Sequence, residues 1–156
     1  MAKQSVTVSQ GTLQAIIATH SVSMGVIALL QHPLVEQLIK WRDGNQACAV
    51  VLQPSTIAID SENDRVALTP EAYRPGSPFD EEQVLKAYGS MLLQALQGSR
   101  QRSLVRIASQ CACGDIGSLN DLYTQLERRA SNFVYVPLIV VITALLALLW
   151  WLNSTA

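Results

Sequence analysis

The chain has 156 residues, of which 49% are hydrophobic and 15% charged, with a formal net charge of −1. This length suits one domain with a short appendage, and the low charged fraction, against about 25% in ordinary soluble domains, means that apolar residues are concentrated somewhere. The lack of a basic excess argues against a nucleic-acid partner, and three cysteines are too few for a secreted disulfide framework.

The N-terminal quarter predicts a leader followed by helix. Residues 1–12 lack the charged-then-apolar order of a signal peptide and are predicted to be a flexible leader. Residues 13–40 carry apolar side chains at helical spacing, which predicts a long core-facing helix that Pro33 interrupts. The apolar content of residues 13–31 also raises the alternative of a second membrane span, against which four polar residues argue: Gln14, His20, Ser21 and Ser23.

Three short apolar runs follow a turn signal at Asp43 and Gly44. The runs at residues 47–52, 57–59 and 65–68 are rich in β-branched residues, and the polar sequence SEND separates the last two. This pattern predicts a small β-hairpin. Residues 69–79 contain three prolines and predict an irregular loop.

The next segments predict helices with clear start signals. Asp80 is placed to cap a helix with Gln83 three residues later, and Gly98 is placed to end it. Residues 104–107 predict a short helix, and Ser118 with Asp121 predicts the start of a last one. The expected fold class is therefore mainly α with a small β-hairpin (α+β), in a compact domain over residues 13–130.

The longest uncharged apolar segment is residues 133–152, in which thirteen of twenty residues are Leu, Ile, Val or Phe. As a helix the segment measures about 30 Å, the thickness of a bilayer core. It therefore predicts one C-terminal transmembrane helix. Aromatic and basic residues at its ends are the predicted membrane anchors, namely Phe133, Tyr135, Trp150, Trp151, Arg128 and Arg129.

The position of this segment predicts a tail-anchored, single-pass arrangement. Residues 153–156 would form a short tail on one side, and the two arginines would hold the domain on the cytoplasmic or stromal-like side. The lipid bilayer and a membrane-protein complex are the expected partners. The glutamine-rich, lysine-poor composition favours a bacterial plasma or thylakoid membrane.

The segment AVVLQPSTIAID at residues 49–60, together with Gly89 and Gly98, gives residues 34–127 a resemblance to a degenerate C-terminal lobe of a eukaryotic-type protein kinase. The catalytic loop of that family reads roughly HRDLKPSNILLD. The segment AVVLQPSTIAID matches it at five positions, namely Leu52, Pro54, Ser55, Ile57 and Asp60. Gly89 and Gly98 keep the spacing of two glycines in the family's long helix.

The departures from the family concern its catalytic groups. Val51 stands where the catalytic Asp is expected, Gln53 where the Lys is expected and Thr56 where the metal-binding Asn is expected. Pro-Glu-Ala at residues 70–72 replaces D-F-G, and no Gly-rich loop precedes the match. The resemblance therefore implies a pseudokinase remnant without nucleotide chemistry.

Other constellations remain open between a site and an ordinary role. One candidate metal site would consist of two histidines and three cysteines, namely His20, His32, Cys48, Cys111 and Cys113. Structural zinc prefers paired C-x₂-C knuckles, which the sequence lacks, so free thiols are favoured. Arg100, Arg102 and Arg106 either contact anionic headgroups or form a solvated face.

No catalytic residue, cofactor, metal, nucleic acid or small-molecule substrate is predicted, so the chain is expected not to be an enzyme. The first hypothesis is a tail-anchored, non-catalytic membrane interaction protein that acts as an assembly factor, accessory subunit or scaffold. The alternative is a membrane-anchored pseudokinase-type signalling protein. A third hypothesis is an enzyme with Cys111 or Cys113 as nucleophile.

Overall fold

The structure, a computed structural model, describes residues 10–20, 22–44 and 47–154, and for residues 10, 132–139, 149 and 151–154 it describes the backbone alone. Over these residues the chain is mostly helical and contains two small antiparallel sheets. The first sheet has three strands and the second has two.

Three helices replace the one predicted over residues 13–40: α1 (Leu13–Ala18), α2 (Met24–Leu30) and α3 (His32–Gly44). The chain breaks after α1 because His20 adopts a left-handed conformation with φ of 51°. Ser23 then starts α2, since its hydroxyl accepts a hydrogen bond from the Val26 N–H at 3.3 Å. Pro33 lies in the first turn of α3, where its missing N–H costs nothing, so it starts a helix and does not interrupt one. Helices α1 and α2 have six and seven residues, far too few for the alternative second membrane span.

Five strands build the two sheets: β1 (Gln10–Thr12), β2 (Cys48–Val50), β3 (Ile57–Asp60), β4 (Arg65–Leu68) and β5 (Tyr73–Pro75). The predicted hairpin is β3 with β4, in which Ile57 pairs with Leu68 and Asp60 with Arg65. Strand β1, at the end of the predicted leader, pairs with the other edge of β3. Strand β5 forms within the stretch that was predicted to be a loop, and it pairs with β2.

The hairpin turn is organised by Asp60. Its carboxylate accepts hydrogen bonds from the backbone N–H groups of Glu62 and Asn63, both at 3.2 Å, and from the Asn63 side-chain amide at 2.8 Å. The Asn63 side chain is the main reason that the pKa of Asp60 is lowered. An aspartate that bonds its own following residues is a common turn-forming device.

Three further helices complete the fold: α4 (Glu81–Ala95), α5 (Arg102–Cys113) and α6 (Leu119–Ser154). The predicted caps are present, because Asp80 accepts from the Gln83 N–H at 3.1 Å and Ser118 accepts from the Asp121 N–H at 3.1 Å. Gly114 ends α5 with φ of +83°, a conformation that favours glycine.

The core includes the contact of α4 with α5 and, through Tyr88, the contact of α4 with α2. Tyr88 is fully buried, and its hydroxyl donates to the Leu30 carbonyl oxygen of α2 at 2.8 Å. Burial raises the pKa of Tyr88. The next residue, Gly89, allows close approach of α5, since a Cβ there would lie 2.4 Å from the Ala112 nitrogen and 2.5 Å from the Ala108 oxygen.

The C-terminal part of α6 corrects a prediction. None of the helices over the described residues combines the length and the apolar character that crossing a membrane requires. This finding contradicts the transmembrane helix predicted over residues 133–152. It also contradicts the tail-anchored, single-pass arrangement and the plasma or thylakoid membrane localisation that followed from it.

Candidate interaction surfaces

Helix α6 begins in the core and continues beyond it. Leu119, Leu122 and Leu126 are fully buried among the other helices. Farther along the same 36-residue helix, large apolar side chains are exposed, with Leu146 at 60% and Trp150 at 75%. The exposed set on this part of α6, called here the apolar segment, comprises Val140, Val141, Ile142, Leu145, Leu146, Leu148 and Trp150.

The apolar segment is exposed on every side of the helix. Successive residues of an α-helix are about 100° apart, so residues 140, 141, 142 and 150 already point in four different directions. Among the described residues, Met24 is the one other large apolar side chain with comparable exposure, at 68%. Contiguous exposed apolar surface of this kind marks an interaction site.

Glu81 holds the N-terminus of α6. Its Oε1 accepts a hydrogen bond from the Leu119 N–H at 2.7 Å and from the Arg42 guanidinium at 2.9 Å. Arg42 also bonds Asp43 and Asn120, and the hydrogen bond with Asp43 is the main cause of its raised pKa. A carboxylate from α4 thus satisfies the first free N–H of α6 and fixes where the helix starts.

Arg129 holds α6 where the helix leaves the domain. Its guanidinium donates to Ser103 Oγ at 2.9 Å, to Gln31 Oε1 at 2.9 Å and to Gln101 Oε1 at 2.7 Å. Ser103 and Gln101 belong to α5 and its N-cap, and Gln31 ends α2, so one side chain connects two elements with α6. Burial lowers the pKa of Arg129.

Three exposed arginines lie on and just before α5. Arg100, Arg102 and Arg106 form no ion pair with any residue that the structure describes. Arg102 and Arg106 are four residues apart and therefore lie on one face of the helix. Residues 83–114 contain no aspartate or glutamate, so α5 and the part of α4 beyond Glu82 offer these arginines no carboxylate.

The positions compared with the kinase catalytic groups come together in one turn. Pro54–Thr56 forms a 3₁₀ turn in which the buried Thr56 hydroxyl lies 3.0 Å from the carbonyl oxygens of Val51 and Gln53. The same hydroxyl accepts from the Gln53 N–H at 3.0 Å. The Val51 N–H donates to the Ala72 carbonyl at 2.7 Å, which brings residues 70–72 beside the turn. These polar groups are engaged in holding the turn itself.

A groove runs beside this turn. Two adjoining pockets, of 270 Å³ and 300 Å³, share Ile17 of α1 and Gln94 of α4. Gln14, Gln53, Pro54 and Ser55 line the second pocket, and His20 and Met24 are among the residues that line the first. The described residues that line the groove have amide, hydroxyl, imidazole or apolar side chains, so the groove suits an uncharged segment.

The three thiols are free and differ in exposure. Cys111 is buried, Cys48 is half-buried and Cys113 is exposed. Burial raises the pKa of Cys111 to about 12, so its thiol stays protonated and is a poor nucleophile. Across the described residues no three His, Cys, Asp or Glu side chains are grouped so as to hold a metal ion.

The predicted anchor residues have different surroundings in the structure. Arg128 and Trp150 are exposed, whereas Arg129 is half-buried in the contacts described above. The side chains of Phe133, Tyr135 and Trp151 lie outside the described residues. Sequence reasoning missed Glu81 and Gln101 as partners of α6, since contacts between residues far apart in sequence leave no local signal.

The fold and these surfaces define a mostly helical α+β domain. The described side chains at residues 140–148 and 150 of its long helix α6 are exposed. Comparison with protein-family models, with curated proteins and with solved structures found no match.

Proposed function

We propose that this chain is a non-catalytic interaction protein that serves as an assembly factor, accessory subunit or scaffold of a protein complex. The observation that carries the proposal is the apolar segment, with seven large side chains exposed on one helix. Soluble proteins rarely expose so much contiguous apolar surface unless a partner covers it.

The expected partner is a helical protein with an apolar cleft. Because the segment is exposed all round, the partner contacts it from more than one side, as in a helix bundle. The partner has to match a fixed direction, since Glu81 and Arg129 hold both the start and the exit of α6 in the domain.

The proposed absence of catalysis is supported by the state of the polar groups. The Thr56 hydroxyl is engaged within its own turn, and the Cys111 thiol has a pKa of about 12. Neither group is prepared to act as a base or nucleophile.

The test starts from the affinity-tagged full chain, purified gently. A protein that co-purifies in constant ratio is then produced separately and recombined with the chain, and light scattering gives the stoichiometry of the pair. Leu145→Gln combined with Leu146→Gln is expected to weaken the pair by about a hundredfold, since burial of each leucine contributes about 1.5 kcal/mol or more.

Met24→Gln is the matched control, because Met24 is equally exposed and apolar but lies on α2. It is expected to leave the affinity of the pair unchanged. Recovery of the chain as a lone monomer, or equal binding by the double variant and the wild type, would refute the proposal. If light scattering shows a homo-oligomer, the partner of the apolar segment is a second copy of the chain and not a different protein.

The second candidate is a pseudokinase-type regulatory protein. What favours it is that the Pro54–Thr56 turn, the β3–β4 hairpin and residues 70–72, the positions compared with the kinase catalytic groups, lie beside one another. Thermal unfolding with and without ATP and Mg²⁺ tests it. A nucleotide-dependent rise in Tm would favour this candidate, and an unchanged Tm at millimolar ATP would count against it.

A further inference from the structure

We infer that the arginine face of α5, formed by Arg100, Arg102 and Arg106, is a second docking surface for an acidic segment of the partner protein. This inference rests on the proposed function and specifies the chemistry of the partner. The first support is that the three side chains are exposed and none is ion-paired with a described residue. In contrast, Lys86 on the neighbouring α4 is paired with Glu82.

The second support is the lack of carboxylates on α5 and on α4 beyond its first turn. α5 contains no acidic residue, and α4 contains none after Glu82. A pairing like that of Glu81 with the half-buried Arg42 is therefore not available to this face from α5 or from α4 beyond Glu82. An acidic segment from another protein supplies the missing complement.

The third support is geometric. Arg102 and Arg106 are one helical turn apart, about 6 Å along the axis of α5, and point to the same side. Two carboxylates four residues apart on a partner helix match this spacing. The planar guanidinium groups can then bind each carboxylate through two hydrogen bonds.

Carboxylates on the adjacent surface favour a protein over a uniformly anionic partner. Asp115 and Asp121 line a pocket of 220 Å³ together with Arg128, beside the end of α5 and the start of α6. A uniformly anionic partner that extended from the arginines past the end of α5 would meet these carboxylates as well. A folded protein can place its acidic side chains opposite the arginines alone.

The probe for the test is a synthetic helical peptide with glutamates at four-residue spacing, and the same peptide with glutamines is its neutral match. Binding of the labelled peptides to the full chain is measured by fluorescence anisotropy at low and high salt. The acidic peptide is expected to bind and to weaken with salt. Arg102→Gln combined with Arg106→Gln is expected to weaken its binding at least about tenfold, because both charge-assisted contacts with the glutamates are lost.

The matched control is Arg65→Gln combined with Arg74→Gln, which removes the same charge from two exposed arginines in β4 and β5. It is expected to retain binding of the acidic peptide. Equal weakening by both double variants would show a general charge effect and overturn the inference. The inference would also be overturned if single-stranded RNA, or vesicles that contain phosphatidylglycerol, bound more tightly than the acidic peptide with the same dependence on Arg102 and Arg106.

The two proposals fail separately. Leu145→Gln with Leu146→Gln removes apolar contacts and is expected to leave binding of the acidic peptide unchanged. A chain that binds the acidic peptide but forms no stoichiometric complex would refute the proposed function and retain the arginine face. A stoichiometric complex that is insensitive to both salt and the arginine variants would retain the proposed function and refute the arginine face.

Discussion

Gly89 lies where α4 meets the backbone of α5. A Cβ at this position would approach the Ala112 nitrogen to 2.4 Å and the Ala108 oxygen to 2.5 Å, and these backbone atoms cannot rotate away. Gly89→Ala is therefore expected to lower the free energy of unfolding by about 3 kcal/mol, since overpacking outweighs the better helix propensity of alanine. Urea denaturation followed by circular dichroism measures the change.

Gly117→Ala is the control for this substitution. A Cβ on Gly117 meets nothing within 4 Å, and the residue does not have positive φ. The stability of this variant is expected to stay within about 1 kcal/mol of the wild type. Equal effects of the two substitutions would show that α4 and α5 are not as close at Gly89 as the structure describes.

The thiols of α5 give a second prediction at the scale of single residues. In the folded protein at pH 8, iodoacetamide is expected to alkylate Cys113 and to spare Cys111. Cys113 is exposed, whereas Cys111 is buried and its pKa is raised to about 12, so little thiolate is present below that pH. Peptide mass spectrometry reports the modified residue. Modification of Cys111 at the rate of Cys113 in folded protein would contradict the packing of α5, and denaturant is expected to equalise the two.

Glu81 connects elements and gives a prediction at that scale. Glu81→Gln keeps the size of the side chain but replaces a carboxylate that accepts from Leu119 and Arg42. The expected loss in the free energy of unfolding is about 1 to 2 kcal/mol, because hydrogen bonds to a charged group are weakened at the start of α6. Glu82→Gln is the control, since Glu82 forms an exposed ion pair with Lys86 that contributes little. If both variants unfold at the same urea concentration, Glu81 does not stabilise α6.

The elements differ in how far the sequence predicts them. Asp80, Ser118 and the β3–β4 turn carry local signals, and each lies where those signals placed it. Strands β1 and β5 have three residues each, too short for an alternating pattern, and they form because β3 and β2 offer distant partners. The N-terminal helix divides because Ser23 starts a new helix after His20 turns the chain, which apolar spacing alone does not reveal.

The same distinction applies to the candidate surfaces. The sequence alone shows that residues 140–150 are apolar. Apolar content by itself predicted a transmembrane helix, and the described helices contradict that prediction. The arginines of α5 were recognised as a group in the sequence. Their unpaired state depends on which carboxylates fold beside them, and that is a property of the tertiary structure.

At the scale of the whole molecule, Arg129 determines how α6 is attached where it leaves the domain. Its guanidinium binds Gln31, Gln101 and Ser103, residues 26 to 98 positions away in sequence. Arg129→Ala is therefore expected to loosen α6 from α2 and α5 together. Arg129→Lys is expected to recover little of the attachment, because an ammonium group cannot reproduce the planar fork that reaches three acceptors.

Hydrogen–deuterium exchange measures this loosening directly. Backbone amides of residues 122–131 are expected to exchange faster in both Arg129 variants, while those of the β3–β4 hairpin keep the wild-type rate. Arg128→Ala is the control, because it removes the same charge from an exposed neighbour on the same helix. Wild-type exchange in Arg129→Ala would mean that buried leucines alone attach α6. Faster exchange in Arg128→Ala as well would mean that charge, and not the three hydrogen bonds, determines the attachment.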